Sequence, residues 1–403
     1  MKLMTRNRKV FTGELWPIHL KPKEDELLSS WLLRLGVANG VRSCRWWPPT
    51  CASKLILGSD VDDYVNEDFI NDLVERTGTP ISNVVATTLS IYIERLHDSH
   101  HASNLAWILP KLTHNGSCDK TAHRPYKRRL KLNDAELLPL PGIQFCTLCL
   151  AEDKEPYFRR AWRLSLVTVC PKHRILLLNR CPSCTSKIHL CLYQRTGSKD
   201  YKSNVMTICH SCKYDLRKVV NEFSAHNACA KEVELQKTLM NVLNQGEIEL
   251  QDGEIVKSRD FFFILRQLMA MIRRIWNANI NITISKCSGS EPLNLPSIAN
   301  IRLEFLDAAS RARLLSMAYY LLEDWPNRCI RICKDNAIWS SMLIPSNKKD
   351  STPQWYRKVI SEHLFNSKYQ AAIVQEKFTF LPIPQQQLTV GDDFYINPIE
   401  SNP

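Results

Sequence analysis

The sequence predicts a mainly α, multidomain protein with an N-terminal helix-turn-helix-like bundle, two tandem zinc-binding knuckle modules and a C-terminal helical domain. Three observations lead there. Apolar residues recur at helical spacing in both the first and last thirds of the chain. Four Cys-x-x-Cys or Cys-x-x-His pairs follow one another between Cys146 and Cys212. The chain has 403 residues, enough for roughly two to four domains with cores of their own. The expected boundaries are 1–118 for the helical N-terminal domain, 119–143 for a basic linker and 144–217 for the tandem zinc-finger region. A C-terminal helical domain at 218–385 and a flexible tail at 386–403 follow.

In chain order, Leu27, Leu28, Trp31, Leu32 and Leu35 fall on one face of a first helix. The acids at 24–26 suit its N-terminal dipole, and Gly40 suits its stop. A polar Trp/Pro connection, Arg45 to Pro49, comes next. Phe69, Ile70, Leu73 and Val74 mark a second helix, Gly78-Thr79-Pro80 a turn, and Ile81 to Leu89 a third helix. Helix, short turn, helix fits a DNA-binding helix-turn-helix, and it fits any small helical bundle, which is the default reading. Between Lys120 and Lys131 lie six Lys/Arg and no acid. Arg124, Lys127, Arg128, Arg129 and Lys131 are the candidate nucleic-acid contacts, weighed about evenly against a solvated loop.

Beyond the cysteine region, Glu232 to Glu247 reads as a short helix ended at Gly246. Ser258 to Trp276 reads as a strong one with Phe261, Ile264, Leu265, Leu268, Ile272 and Ile275 on its core face. Arg259, Arg266 and Arg273 repeat every seven residues along one side of it, most simply a solvated face. Ala308 to Leu322 is a further helix, Pro345 to Pro353 a polar linker, and the Gln/Pro-rich stretch after Pro382 a poorly ordered tail.

Apolar content of 44% and charged content of 23% are ordinary for a soluble globular protein. No run of eighteen uncharged apolar residues occurs, and the basic start leads into no apolar signal core, so the expected address is cytoplasmic and nucleoid-associated, with no membrane partner. Fifteen cysteines in such a compartment point to metal, because thiols there are kept reduced. The formal net charge is +12. Seven zinc-bound thiolates and two Zn2+ lower it to about +9, which still favours a polyanionic partner, nucleic acid first.

The chemistry sits in two donor sets. One is Cys146, Cys149, Cys170 and His173; the other is Cys181, Cys184, Cys209 and Cys212. Zn2+ takes four N/S donors in a tetrahedron, and each knuckle offers two donors from one tight turn, so four ordered knuckles make two sites. A lone Cys-x-x-Cys is often an ordinary buried pair; four in sequence are not. His189, Cys191 and His210 are alternative donors at the second site. Both sets are complete, so two structural Zn2+ per chain are expected and no catalytic residue is assigned. No His-x-Glu, phosphate-binding Gly-rich loop, Gly-x-Ser-x-Gly or His-Glu-x-x-His occurs. Between the first two knuckles, Tyr157, Phe158 and Trp162 read as packing. Arg159, Arg160 and Arg163 read equally as phosphate contacts or as ion pairs with Glu152, Asp153 or Glu155.

Phe145-Cys146-x-x-Cys149-Leu150, Tyr157-Phe158-Arg159, Trp162-Arg163, Cys170-Pro171-x-His173, Leu176-Leu177 and Cys181-Pro182-x-Cys184 together resemble the TniQ/TnsD family of transposition proteins. "DELLSSWLLRLGVANG" is similar to that family's opening helix, with Leu27 at its usual serine position, and "LLEDWP" (Leu321 to Pro326) to a weaker feature. The resemblance covers about Pro17 to Arg217. It implies a non-catalytic target-site selector that binds DNA, or docks on a CRISPR-associated Cascade complex with its guide RNA, and recruits a TnsC-like AAA+ ATPase regulator. It also allows a homodimer. Two other classes stay open on the residues alone: a zinc-dependent helix-turn-helix transcriptional regulator, and a DNA enzyme with structural zincs.

Overall fold

The computed structural model describes residues 15–40, 60–63, 67–96, 107–110, 142–190, 205–218, 227–274, 284–285, 303–344 and 350–366. The connection at 45–49, the basic run at 120–131 and the tail after 382 lie outside these residues. The fold is mainly helical, with two short antiparallel hairpins among the described residues.

Helix α1 (Leu28–Ala38) ends where expected: Gly40 takes φ +68 and its N–H donates to Val37 O at 3.1 Å. Its surroundings differ from the one-faced reading. Leu28, Trp31, Leu32 and Leu35 pack in a local core with Trp16, Val61, Phe69, Leu73 and Val84, while Leu27 and Leu33 enter the main core on the other side. The helix is therefore a shared wall.

α2 (Glu67–Thr77) carries Glu67 and Asp68 against its positive N-terminal end, and stops at Gly78 with φ +57. Lys21 Nζ donates to Thr77 O at 2.7 Å, capping the carbonyl end. The expected turn is present, but the helix after it is shorter than Ile81 to Leu89. α3 covers Ile81–Val85, and a separate α4 covers Ser90–Leu96. The cause is local. Thr87 and Thr88 hydroxyls donate to Val84 O and Val85 O at 2.7 Å each, taking acceptors that a continuing helix needs.

In the C-terminal part, α6 (Ala230–Gln245) ends at left-handed Gly246, as expected. A hairpin of β3 (Glu247–Glu249) and β4 (Ile255–Lys257) then leads into α7 (Ser258–Arg274). On α7, Phe262, Phe263 and Met269 are buried along with Phe261, Ile264, Leu265, Leu268 and Ile272, so the helix is enclosed on nearly every side. Arg259, Arg266 and Arg273 are half-buried, not a freely solvated stripe. α7 packs against α8 (Ala308–Glu323), which Asp307 caps by accepting Ser310 N–H at 2.9 Å.

Three helices without a strong sequence signal follow: α9 (Asn327–Asp335), α10 (Ser340–Leu343) and α11 (Gln354–His363). Trp325 of the "LLEDWP" stretch stacks on Tyr356 of α11, ring centroids 5.2 Å apart and planes 18° apart, with Trp355 edge-on. One continuous hydrophobic core runs from Leu27, Leu33 and Leu89 through Phe145, Phe158 and Trp162 to Phe261, Leu265 and Leu314. Among the described residues no helix is long and apolar enough to cross a membrane.

Candidate metal centres

Helix α5 (Thr147–Glu152) begins on Cys146, whose sulfur accepts the Cys149 N–H at 3.4 Å. This places both sulfurs on the same side of the first turn. β1 (Val169–Cys170) and β2 (Ile175–Leu176) pair as a hairpin whose turn holds His173. Across the gap, His173 Nδ1 lies 3.3 Å from the Cys146 and Cys149 sulfurs and 3.5 Å from Cys170 Sγ; Cys149 and Cys170 sulfurs are 3.7 Å apart. A tetrahedron with Zn–S of about 2.3 Å and Zn–N of about 2.0 Å has edges of about 3.8 Å between sulfurs and about 3.5 Å from sulfur to nitrogen. The donor set fits that ion.

The second set closes the same way. Cys181 and Cys212 sulfurs are 3.6 Å apart, Cys184 and Cys209 sulfurs 3.7 Å apart, and all four lie within 4.8 Å of one another. His189 and His210 fall outside this cluster; Cys191 lies outside the described residues.

Three of the four knuckles share one backbone device. The N–H of Arg174, Thr185 and Lys213 donates to the carbonyl of Cys170, Cys181 and Cys209 at 2.8, 2.9 and 3.0 Å. Each donor residue sits in the left-handed region, at φ +55, +57 and +64, although none is glycine. Such backbone costs free energy for a branched or long side chain and persists where the surroundings enforce it. It aims amides at sulfur: those of Ser183 and Cys184 at Cys181, those of Ser211 and Cys212 at Cys209. Amide donors favour thiolate. Hydrogen bonding from Cys146 and Cys149 holds the Cys170 thiol far below its ordinary value, whereas burial pushes Cys181 upward. Several thiolates this close are mutually repulsive until a cation stands among them.

Beyond the first donor set, His173 Nε2 lies 2.9 Å from Glu152 Oε2, and Lys172 Nζ 2.7 Å from the same oxygen. Lys172 first, then His173, holds the Glu152 carboxyl below its ordinary range. The carboxylate stands within ion-pair distance of the far nitrogen without a well-aligned hydrogen bond; where that bond forms on metal loading, it fixes the ring's tautomer and orientation. The sequence alone offers Glu152 only as a partner for an arginine.

The basic aromatic string between the knuckles turns inward. Phe158 is fully buried, edge-on to Trp162 at 5.7 Å and against Phe145 at 6.5 Å, as the packing reading expects. Arg159 forms two 2.9 Å bonds to Asp153 and lies over Tyr157 and Trp162 at 4.4 and 4.7 Å. Of the two equal readings, this is the local ion pair. Arg160 and Arg163 find other acids, contributed by the N-terminal bundle. Arg160 binds Asp25 at 3.1 Å and Ala86 O at 2.8 Å. Arg163 is buried, with Asp60 at 2.6 and 2.9 Å and Asp62 at 2.9 Å.

The backbone follows the same seam. Leu27 N–H donates to Phe158 O, Arg160 N–H to Asp25 O, and Phe158 N–H to Ser30 Oγ. Asp25 and Glu26 thus do not serve the dipole of α1. Asp25 meets Arg160. Glu26 is buried, accepting from Lys23 N–H, Ser30 Oγ and Arg34, and burial raises its pKa. The Cys/His module is tied to the C-terminal helices as well: Arg311 Nη2 donates to Gln144 Oε1 at 2.6 Å, and Gln236 Oε1 accepts Thr168 N–H at 2.8 Å.

The structure brings Cys146, Cys149, Cys170 and His173 together, and Cys181, Cys184, Cys209 and Cys212 together. Arg124, Lys127, Arg128, Arg129 and Lys131 lie outside the described residues. Residues 17–177 match the protein-family model described as TniQ. No curated protein matches the chain.

Proposed function

We propose that this chain, which carries a TniQ domain over residues 17–177, is a transposition target selector that works by holding partners together. One observation carries the reading. The matched span starts at the entry to the N-terminal bundle and ends at Leu177, directly after β2. It therefore encloses one physical unit: the bundle, the arginine seam and the Cys/His cluster.

In this reading both clusters hold structural Zn2+. Cys146, Cys149, Cys170 and His173 bind one ion, and Cys181, Cys184, Cys209 and Cys212 the other, with no open coordination position. Bound zinc supplies cross-links between short loops, on the order of 10 kcal/mol of metal-linked folding energy per site. The chain contacts target DNA, or an RNA-guided complex on it, and recruits an AAA+ ATPase regulator. Tethering raises the local concentration of that ATPase at one DNA site, which selects a target without new chemistry. The five residues of α3 are short for the second helix of a helix-turn-helix, which weighs against an ordinary transcriptional regulator.

The test is a pull-down on immobilised duplex DNA with a TnsC-like AAA+ ATPase. Retention of the ATPase that depends on this chain supports the proposal. Equal loading without it, or DNA cleavage by the isolated chain with Mg2+, refutes it.

A further inference from the structure

The helix-turn-helix-like unit presents a surface unlike one that reads DNA. α3, in the place of the second helix, carries no Lys or Arg. Val84 is its buried side chain, while Ile81 and Val85, one turn apart, are 55% and 40% exposed. Leu15 is 52% exposed and lies against the turn before α3: a Cβ built on Gly78 would stand 3.2 Å from Leu15 Cδ2. Three aliphatic side chains thus follow one line from the entering segment, across the turn and along α3. Single exposed aliphatics are ordinary on a protein surface; a run of them on adjoining elements marks a docking face.

The face is held in place by backbone. Trp16 N–H, next to Leu15, donates to Arg76 O at 2.9 Å, Val84 N–H to Pro80 O at 3.1 Å, and Arg160 Nη1 to Ala86 O, just past α3, at 2.8 Å. Ile81 and Val85 are exposed on a fixed turn of helix, not through fraying. Charge then selects the occupant. The described bundle residues, 15–40, 60–63 and 67–96, hold eleven Asp/Glu against five Lys/Arg, in a chain whose formal net charge is +12. Glu24, Glu67, Asp68, Glu75 and Glu94 are exposed and have no ion pair among the described residues. Lys21, the exposed cation among them, is tied to Thr77 O and Gly78 O. Glu75, three residues before Gly78, brings this negative charge to the edge of the stripe. Phosphates meet repulsion on such a surface, whereas the Lys and Arg of a protein are attracted to it.

We infer that Leu15, Ile81 and Val85, flanked by Glu75, form a docking site for a protein surface that combines apolar side chains with Lys or Arg, and that this unit makes no DNA contact. The inference rests on the target-selector reading, in which the protein partner is the AAA+ ATPase, and names the face through which the chain holds it. Aliphatic side chains at the centre supply the contact area, and the acidic flank supplies orientation and rejects nucleic acid.

The test uses the full zinc-loaded chain, immobilised duplex DNA and a TnsC-like AAA+ ATPase. Ile81→Asp/Val85→Asp puts two carboxylates into the stripe at exposed positions. It should keep both zincs and the wild-type DNA affinity, yet retain the ATPase at least about tenfold less, because a carboxylate buried against apolar surface is costly. Glu75→Lys should weaken retention at low salt, with the difference fading at high salt. Met342→Asp, at a 45% exposed position on α10, is the control and should leave retention unchanged. If Ile81→Asp/Val85→Asp loses zinc, Leu15→Asp alone decides, with the same loss expected. Full retention by the zinc-retaining double variant overturns the inference and leaves the selector reading standing. Loss of DNA affinity in that variant assigns the face to DNA, a change in its sedimentation assigns it to a second copy of this chain, and an equal loss from Met342→Asp makes the effect unspecific; each overturns the inference. A wild-type chain that holds DNA without retaining the ATPase overturns the selector reading and the inference with it.

Discussion

Arg163 Nη2 lies 2.6 Å from Asp60 Oδ2, and the two side chains are 2% and 7% exposed. The same guanidinium reaches Asp62 Oδ2 at 2.9 Å, and Asp62 also accepts the Ser29 N–H and hydroxyl. An arginine from beside the first metal site thus closes over two carboxylates from the N-terminal segment. This seam joins the N-terminal segment to the Cys/His module.

Arg163→Met removes the cation that both buried carboxylates share. Breaking one side of a buried pair costs about 3–5 kcal/mol, far more than a surface pair is worth. The urea midpoint should fall accordingly, with zinc content unchanged at low denaturant. A midpoint within error of wild type would show that the seam contributes nothing.

Asp62 gives the seam a pH signature. Burial pushes its carboxyl up to about 6, opposed by Arg163 and reinforced by Asp60. The native state then holds this proton more tightly than the unfolded chain does between about pH 4 and 6. The contribution of this group to stability is therefore fully present below about pH 4 and declines as pH rises to about 6. Comparing wild type with Asp62→Asn isolates it, because the zinc thiolates gain protons over the same range in both. The wild type minus variant difference in stability should fall across that window and flatten above it; a rising difference refutes the sign.

Elemental analysis should give two zincs per chain. Cys170→Ser and Cys212→Ser should each lose one, with different consequences. Cys146, Cys149 and Cys170 are buried in the main core, whereas Cys212 is exposed. Cys170→Ser is expected to be insoluble or protease-sensitive throughout, and Cys212→Ser to keep the N-terminal bundle protected. Equal damage from both would show that the modules fold as one.

Glu152→Ala should weaken zinc at the Cys/His site by about 10–100-fold in a chelator competition, without changing stoichiometry at saturation. The four-cysteine site serves as the internal reference. Weakening of both sites alike would assign the effect to global instability.

Lys127, Arg128 and Arg129 replaced by Ala should lower DNA affinity and reduce the salt slope by up to about 0.9 for each phosphate no longer neutralised. An unchanged slope would identify the run at 120–131 as a solvated loop.

The donor residues are legible in the amino-acid sequence, because a Cys-x-x-Cys knuckle needs only local backbone to aim two sulfurs; that neighbouring knuckles pair, and not alternate ones, is settled by the fold. Legible too are α1, α6, α7 and α8, whose apolar periodicity runs long enough to outvote local exceptions. The same periodicity overruns α3, where two threonine hydroxyls end the helix, and it misses β3, β4 and the short α9 to α11, whose patterns are too brief to carry a period. Where Arg160 and Arg163 point is settled by folding alone. Their partners Asp25, Asp60 and Asp62 lie 101 to 135 residues away, and no local pattern encodes an ion pair closed by folding. Folding also places Glu152 behind His173, since a single exposed glutamate on a helix acquires that role when the hairpin docks against it.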